Sequence, residues 1–313
     1  MLPVVISAAL FGGVAAVGAG VLAYSSLFER NRFQVRHDSI EVLEPGTSSI
    51  RVLHLSDIHL APWQNRKIAW IRSLASLRPD LVVVTGDSLG HAESVASLAH
   101  ALSVFHGTSG VFVHGSNDYF APRMPNPFTY LFRPSEPDQD GERIDTEGLD
   151  AVYSSLGWLD LNNASARVSV NGASILVTGT DDPHLNLDRL DLVAESVEEA
   201  RGELAKPVSV IVGVTHAPYR RVLDALTTLG ADVIFAGHTH GGQVCVPGIG
   251  ALTTNSDLPR ALARGINVWN RFGRHAYLNV SAGIGTSIYA PVRFACAPEA
   301  VLITLRAKEI GYA

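Results

Sequence analysis

Cysteine is scarce in this chain. Two occur among 313 residues, Cys245 and Cys296. Neither sits in a CxxC or zinc-knuckle spacing, so no disulfide framework or structural zinc holds the fold together. Both are flanked by apolar residues and read as buried free thiols. Charge is thin as well, at 17% Asp, Glu, Lys and Arg, against roughly 25% in soluble domains. Positive charge is the scarcer sign: 24 Lys and Arg face 30 Asp and Glu, a formal net charge of −6. A general nucleic-acid binder would be basic, so none is expected. Glycine and proline show no triplet period and there is no internal repeat, which excludes collagen and solenoids. With 47% hydrophobic residues the chain is not intrinsically disordered.

The thinnest charge of all is local. From Leu2 to Phe28 no side chain is charged. The run is long enough to cross about 30 Å of hydrocarbon as a helix, and its Gly and Ala suit a membrane helix. An uncleaved anchor over residues 1–28 is the expectation. A cleaved signal peptide, with Val21-Leu22-Ala23 as the cut site, is the alternative; it wants Lys or Arg ahead of the run, and there is none. Arg30, Arg32 and Arg36 follow the segment, so the positive-inside rule leans the C-terminal domain toward the cytoplasm of a single-pass cell-membrane protein.

The remainder reads as α/β. Short β-branched runs at 51–57, 81–87, 111–116, 209–216 and 232–238 have the continuous apolar character of central strands buried on both faces. Between them, Ile68, Ile71 and Leu74, then Val95, Leu98, Leu102 and Phe105, then Val222, Leu226 and Leu229 recur at helical spacing. Val168, Val170, Ile175 and Val177 alternate around Asn171-Gly172, a strong hairpin signal. Further strands are expected near 276–280 and 300–305. Residues 134–146 are polar and Pro-rich and read as a surface loop. Residues 126–132 are apolar and aromatic, either a covered core segment or a lid or membrane-facing flap. The expected organisation is an anchor at 1–28, a juxtamembrane segment with the first strand at 29–49, a catalytic domain at 50–306 and a tail at 307–313.

Chemistry-bearing residues stand where the strands stop. The ends present Asp57-Ile58-His59, Gly86-Asp87, Gly115-Ser116-Asn117-Asp118, His216, and Gly237-His238-Thr239-His240-Gly241-Gly242-Gln243. Open α/β sheets bind ligands beyond the carboxyl ends of their strands. Residues i and i+2 of an extended segment point the same way, so Asp57 with His59, and His238 with His240, can share a cavity. The neighbouring glycines let the backbone turn and approach closely. Imidazole and carboxylate together suit two divalent transition metals, Mn, Fe or Zn, better than an all-oxygen ion. A lone DxH or HxH occurs by chance; five such ends in order do not.

Those five blocks, with Thr215-His216-Ala217-Pro218 as the fourth, resemble the calcineurin-like metallophosphoesterase superfamily over residues 50–306. Residues 281–305 resemble the end of its membrane-associated bacterial branch. The resemblance implies a four-layer α/β/β/α sandwich holding two metals bridged by an aspartate and a water or hydroxide. It puts Asp57, His59, Asp87 and His240 on the first metal, with Asp87 as the bridge. His216, His238 and the Asn of the third block go on the second. The third block departs from the family's Gly-Asn-His-Asp/Glu. Without a gap, Ser116 takes the ligand position and Asn117 the acid position. With a one-residue shift, Asn117 becomes the ligand, which is the favoured reading because an amide oxygen binds metal better than a neutral hydroxyl. Either way the family's leaving-group His is missing, and Asp118, His91 or metal-bound water are the candidate substitutes. His37, His100, His106 and His275 read as ordinary. Asp181-Asp182-Pro183-His184 is either a turn or a loop of the site.

The function expected is a membrane-anchored phosphoesterase working by a metal-activated hydroxide. A phospholipid or lipid-linked pyrophosphate is the natural substrate and a soluble phosphate ester the next. The alternative is a catalytically weak metal-binding scaffold or sensor at the membrane.

Overall fold

The computed structural model describes residues 2–122, 141–202 and 207–309, with residues 2–12, 14 and 15 described for their backbone alone. The chain opens with helix α1 (Leu2–Leu27). Among the described residues no helix is long and apolar enough to cross a membrane; of the segment expected to span, residue 1 and the side chains of residues 2–12, 14 and 15 lie outside them. The apolar segment 126–132 and most of the loop 134–146 also lie outside the described residues.

Fourteen strands follow among the described residues, twelve of them in two six-stranded sheets. The first sheet takes β1 (Gln34–Leu43), β2 (Ile50–Leu55), β3 (Leu81–Thr85), β4 (Ser109–Val113), β5 (Leu159–Asp160) and β14 (Glu299–Ala307), in the order β1-β14-β2-β3-β4-β5. The second takes β6 (Ser165–Val170), β7 (Ala173–Gly179), β8 (Val210–Thr215), β9 (Val233–Ala236), β12 (Gly265–Arg271) and β13 (Arg274–Val280), in the order β12-β13-β9-β8-β7-β6. β2, β3, β4 and β5 run parallel, as do β7, β8, β9 and β13. β10 (Cys245–Val246) and β11 (Gly250–Ala251) form a small separate ribbon.

Alternation along each strand divides the core. Val52, Val83, Val111 and Val113 of the first sheet pack with Val177, Val212, Val214, Val233 and Phe235 of the second. The intervening residues point outward. Leu53, Leu55, Val82, Val84 and Phe112 meet helices α2 (Asn65–Ser73) and α3 (Val95–Leu102), and beyond α4 (Ser116–Tyr119) also α5 (Thr146–Ser155). On the far side, Leu176 packs on α6 (Leu190–Gly202). Ile234, Ala236, Leu278 and Val280 pack with Val222, Leu223 and Leu226 of α7 (Arg220–Thr228). Both faces of each central strand are covered, which explains their unbroken apolar runs. The result is helix, sheet, sheet, helix, in four layers. The hairpin forms where expected, with Asn171 at φ 50° and Gly172 at φ 82°, the two positive φ values that a two-residue turn matched to strand twist requires.

Strand β1 pairs with β14 in parallel over Gln34–Leu43. Arg36, counted among the charges flanking the apolar segment, is occupied within the fold. Its guanidinium pairs with Asp38, with the fully buried Glu299 at 3.2 Å and with Asn279 Oδ1 at 2.7 Å. Cys245 and Cys296 are free and buried, as expected.

Candidate metal centre

The carboxyl ends of β2, β3, β4, β8 and β9 meet at one rim between the two sheets. Asp57 and His59 follow β2, Asp87 follows β3 and Asn117 lies in α4 beyond β4. His216 follows β8, and His238 and His240 follow β9. The backbone bends sharply at these positions. Asp57, His59, Asp87, His238 and His240 have φ of 48°, 40°, 52°, 65° and 49°, a region that costs a non-glycine residue about 1–3 kcal/mol. Five such residues at one rim mark a site whose side-chain directions outrank local backbone preference. The flanking glycines supply the clearance. A Cβ on Gly237 would collide with Ser56 Oγ and Asp57, and one on Gly115 with the Asp87 carboxylate.

The side chains converge in two groups, Asp57–His59–His240 and Asp57–Asp87–His216, each with its ligand atoms within 4.8 Å of one another. His59 Nε2 lies 3.3 Å from His240 Nε2 and 3.3 Å from Asp87 Oδ2. His216 Nε2 lies 3.6 Å from Asp87 Oδ1, and His240 Nε2 3.6 Å from Asp57 Oδ1. Hydrogen bonds on the far side of two rings set their tautomers. His216 Nδ1–H donates to the Thr85 carbonyl at 2.7 Å, and His238 Nε2–H to the Asn255 carbonyl at 3.0 Å. This leaves His216 Nε2 and His238 Nδ1 facing each other at 3.2 Å. In the neutral rings both atoms carry lone pairs, which a shared proton or a nearby cation must reconcile. Orientation of a ligating imidazole by a carbonyl on its other nitrogen is the usual support of a metal site, and the donor set fits divalent transition metals.

The carboxylates are held from behind. Asn279 Nδ2 donates to His54 Nδ1 at 2.9 Å, and His54 Nε2 to Thr85 Oγ1 at 2.8 Å. Thr85 Oγ1 donates to Ser56 Oγ at 2.7 Å, and Ser56 Oγ to Asp57 Oδ2. Burial, with Arg36 adding, pushes His54 down to about 3, so it is the neutral imidazole this chain of donors needs. Burial raises Asp57 to about 6, against His216. For Asp87 burial is outweighed by the imidazoles of His216 and His59 and by the Asn117 N–H, and its carboxyl is held well below the usual range. Burial also opposes protonation of His216, but Asp87, Asp182 and Asp57 together raise it to about 9. Burial lowers His59 to about 4, and His238 and His240 well below the ordinary histidine value.

Asn117 reaches the centre. Its backbone N–H donates to Asp87 Oδ1 at 2.8 Å and its Nδ2 to Asp87 Oδ2 at 2.7 Å. Asp118 turns away: its carboxylate is fully buried and accepts the N–H groups of Ser88, Leu89 and Gly115 at 2.8, 3.2 and 3.0 Å. It ties the loop after β3 to the loop after β4, and its carboxylate is engaged by these backbone N–H groups rather than turned to the cluster. His91 is engaged elsewhere too. Its Nδ1 accepts the Glu93 N–H at 3.2 Å and its ring packs edge-on against Trp63, a turn-capping role rather than membership of the cluster. The 181–184 segment, beyond the end of β7, does belong to the site. His184 lies 4.6 Å from His238 ring to ring, and Asp182 Oδ2 is buried with no hydrogen-bond partner. Its position after a strand end was the available signal, and the turn chemistry of Asp-Asp-Pro masked it.

The model of the calcineurin-like phosphoesterase family matches residues 50–242, more than half of the chain and the whole span from Asp57 to His240. The chain belongs to the calcineurin-like phosphoesterases. This phosphoesterase is 28% identical over 225 residues to a "Transmembrane protein with metallophosphoesterase domain" from Bos taurus, a match covering 68% of this chain and 45% of that one. It therefore spans less than half of that relative. It is 26% identical over 267 residues to "Uncharacterized protein YpbG" of Bacillus subtilis (strain 168), covering 83% of this chain and 82% of that one. Among solved structures it resembles TT1561 of Thermus thermophilus, with a TM-score of 0.42 and 10% identity, covering 76% of this chain and 91% of that one. The family and the buried carboxylate–imidazole cluster together make this a metal-dependent phosphoesterase.

Proposed function

We propose that this enzyme holds two divalent transition metals and hydrolyses phosphate esters or pyrophosphates at a bilayer surface. The observation that carries the dinuclear reading is the pair His216 Nε2 and His238 Nδ1, 3.2 Å apart, with the other nitrogen of each ring committed to a carbonyl. Asp57, His59, Asp87 and His240 would hold one metal. Asp87, His216, His238 and Asn117 would hold the other, with Asp87 common to both. Bound there, the metals would supply a water acidic enough to attack at neutral pH and neutralise charge on the phosphoryl oxygens. The chain's own residues do the rest. The Asn279–His54–Thr85–Ser56 donors orient Asp57, and Asn117 orients Asp87.

Anchoring is supported by α1, whose 26 residues from Leu2 to Leu27 contain no charged side chain, and by the transmembrane name of the bovine relative. At about 1.5 Å per residue such a helix exceeds the roughly 30 Å of a bilayer's hydrocarbon core. A site tethered there suits a phosphorylated lipid or a lipid-linked pyrophosphate, with the catalytic domain on the cytoplasmic side.

The leaving group follows from the third block. Asn117 cannot donate a proton as an imidazolium does, and Asp118 is committed to backbone N–H groups. General acid help is worth about 10²–10⁴-fold, and its absence penalises alkoxides of high pKa most. Pyrophosphate linkages and aryl esters are therefore the better substrates. The test is a series of esters of graded leaving-group pKa, turned over by the metal-loaded full-length chain. A steep negative slope of log rate against pKa is expected, and a flat one overturns the assignment. Asn117→His should lose one metal together with activity if Asn117 is a ligand. A variant that keeps both metals and gains on alkyl esters overturns the ligand role.

A further inference from the structure

We infer that a phosphate-binding pocket, whose wall contains none of the residues of the metal centre though it backs onto the His59 backbone, lies between the end of α1 and the start of α2. A cavity of about 340 Å³ opens there, lined by Arg30, Asn31, Trp63, Arg66, Lys67 and the 285–288 loop, with no Asp or Glu in its wall. Lys67 is buried in this wall, Arg30 is half-buried and Arg66 is exposed at the mouth.

The cations are also unspent. Neither Arg30 nor Arg66 makes a hydrogen bond or ion pair among the described residues, and Arg30 Nε is buried without a partner. Buried polar groups in folded proteins are nearly always paired. Lys67, itself 5% exposed, donates to the Ile58 and His59 carbonyls at 2.8 and 3.1 Å, which uses two of its three protons. Helix α2 points the same way. Its N-terminus has no side-chain cap and no acidic residue in its first turn; Arg66 and Lys67 stand there instead. Cations at the positive end of a helix dipole break a local rule. An anion in the cavity satisfies all of these groups at once. A phosphate offers up to two negative charges and several acceptor oxygens to donors approaching from Arg30, Arg66, Lys67 and the helix end.

Position bears on the source of the phosphate. Arg30 follows the last residue of α1 by three positions, and Trp63 stands 60% exposed at the cavity, the kind of side chain that sits at headgroup level. The phosphate can belong to a lipid headgroup or to a soluble ester; the recognition chemistry is the same. The site goes beyond the proposed hydrolysis and does not depend on it, since the metals play no part.

Binding of inorganic phosphate to the full-length, metal-stripped chain in neutral detergent is the direct test. Calorimetry should show saturable binding, weakened about tenfold or more in the R30Q/R66Q double variant by the loss of charge-assisted bonds. The metal-loaded double variant should hydrolyse an aryl phosphate at the unchanged rate, which separates failure of this site from failure of the catalytic reading. Asn65→Asp places a carboxylate at the open helix end. It should lower phosphate affinity while raising the melting temperature in phosphate-free buffer by about 1–3 °C, so it reports on the site even if the double variant misfolds. Short-chain phosphatidic acid binding more tightly than inorganic phosphate assigns the pocket to a lipid headgroup, and equal binding assigns it to a soluble phosphate. Phosphate bound equally by the wild type, R30Q/R66Q and Asn65→Asp overturns the site.

Discussion

The two sheets contribute unequal halves to the metal centre. The first sheet delivers both carboxylates, Asp57 and Asp87, along with His59 and Asn117. The second delivers three imidazoles, His216, His238 and His240, with the Asp182 carboxylate behind them beyond β7. The anionic half is held by donors: Ser56 Oγ and the His238 N–H on Asp57, and the Asn117 N–H and amide on Asp87. In the imidazole half, His216 and His238 are held by acceptors, the carbonyls of Thr85 and Asn255. Each half depends on the other. Thr85 belongs to β3 of the first sheet yet sets the tautomer of His216 on the second, and His238 of the second donates its N–H to Asp57 of the first. Charge needs donors and a neutral ligand needs a fixed proton, so one rim requires two kinds of support. His59 is the exception. Its Nδ1 is buried without a partner, so no hydrogen bond chooses its tautomer.

The comparison breaks most visibly at Asp87, which touches both halves. Asp87→Asn removes the charge that faces His59 and His216 together. Metal content by elemental analysis should fall at both sites, and activity by at least about 100-fold, beyond the 10–100-fold typical of residues that only orient a ligand. Full loading with two metals in that variant would confine Asp87 to one half.

Support from behind should cost less. His54→Leu cuts the donor chain to Asp57 without touching a ligand, and metal affinity should fall about 10–100-fold. In the imidazole half His216 and His238 have no equivalent substitution, because their supports are backbone carbonyls; His240 is met on Nδ1 by the buried Arg293 at 3.3 Å. An unchanged metal titration in His54→Leu would mean that Ser56 Oγ and the backbone N–H of His238 hold Asp57 without the chain behind them.

Protons sharpen the contrast. His216 in the metal-free protein is raised to about 9, above the unfolded value near 6.5. Its contribution to stability is therefore fully present below about 6.5 and is lost as pH rises through about 9. Metal must displace that proton, so affinity at the His216 site should rise about tenfold per pH unit from 7 toward 9 and then level off. Calorimetry at about pH 7.5 in buffers of different ionisation enthalpy should report about one proton released per chain. No release would mean that His216 is already neutral.

The smallest effect on function is expected at Asp118. Asp118→Asn leaves buried N–H groups of Ser88, Leu89 or Gly115 poorly satisfied and should cost about 1–3 kcal/mol of stability, read from denaturant unfolding. Metal content and turnover should stay near wild type. A loss of activity without a loss of stability would return Asp118 to the catalytic groups.

Much of this was legible in the residues themselves. Periodicity placed β2, β3, β4, β8 and β9 and the helices α2, α3 and α7, because buried parallel strands and amphipathic helices leave unmistakable patterns. The rule that ligands gather at strand ends drew attention to Asp57, His59, Asp87, His216 and His240, which the fold brings together, and to Asn117 and His238, which lie against them. For Asp118 and His91 proximity in sequence to a site residue says nothing about which way a side chain turns; each accepts from nearby backbone N–H groups. His54 was invisible as a functional residue, since it lies mid-strand among apolar neighbours and meets Asn279 only through a separation of 225 positions.

What the sequence determined by itself is therefore the inventory: which strands exist, what stands at their ends and which chemistry those groups can perform. The tertiary structure alone decided the pairings. It decided that β1 closes on β14 from the far end of the chain and that Asp118 clamps two loops. It brought His184 against His238 and gathered Arg30, Arg66 and Lys67 around one cavity. The physical reason is range. Side-chain periodicity and turn preference act over a few residues and are written locally. A hydrogen bond or an uncompensated charge depends on which distant segment the packing of two sheets carries to within about 3 Å.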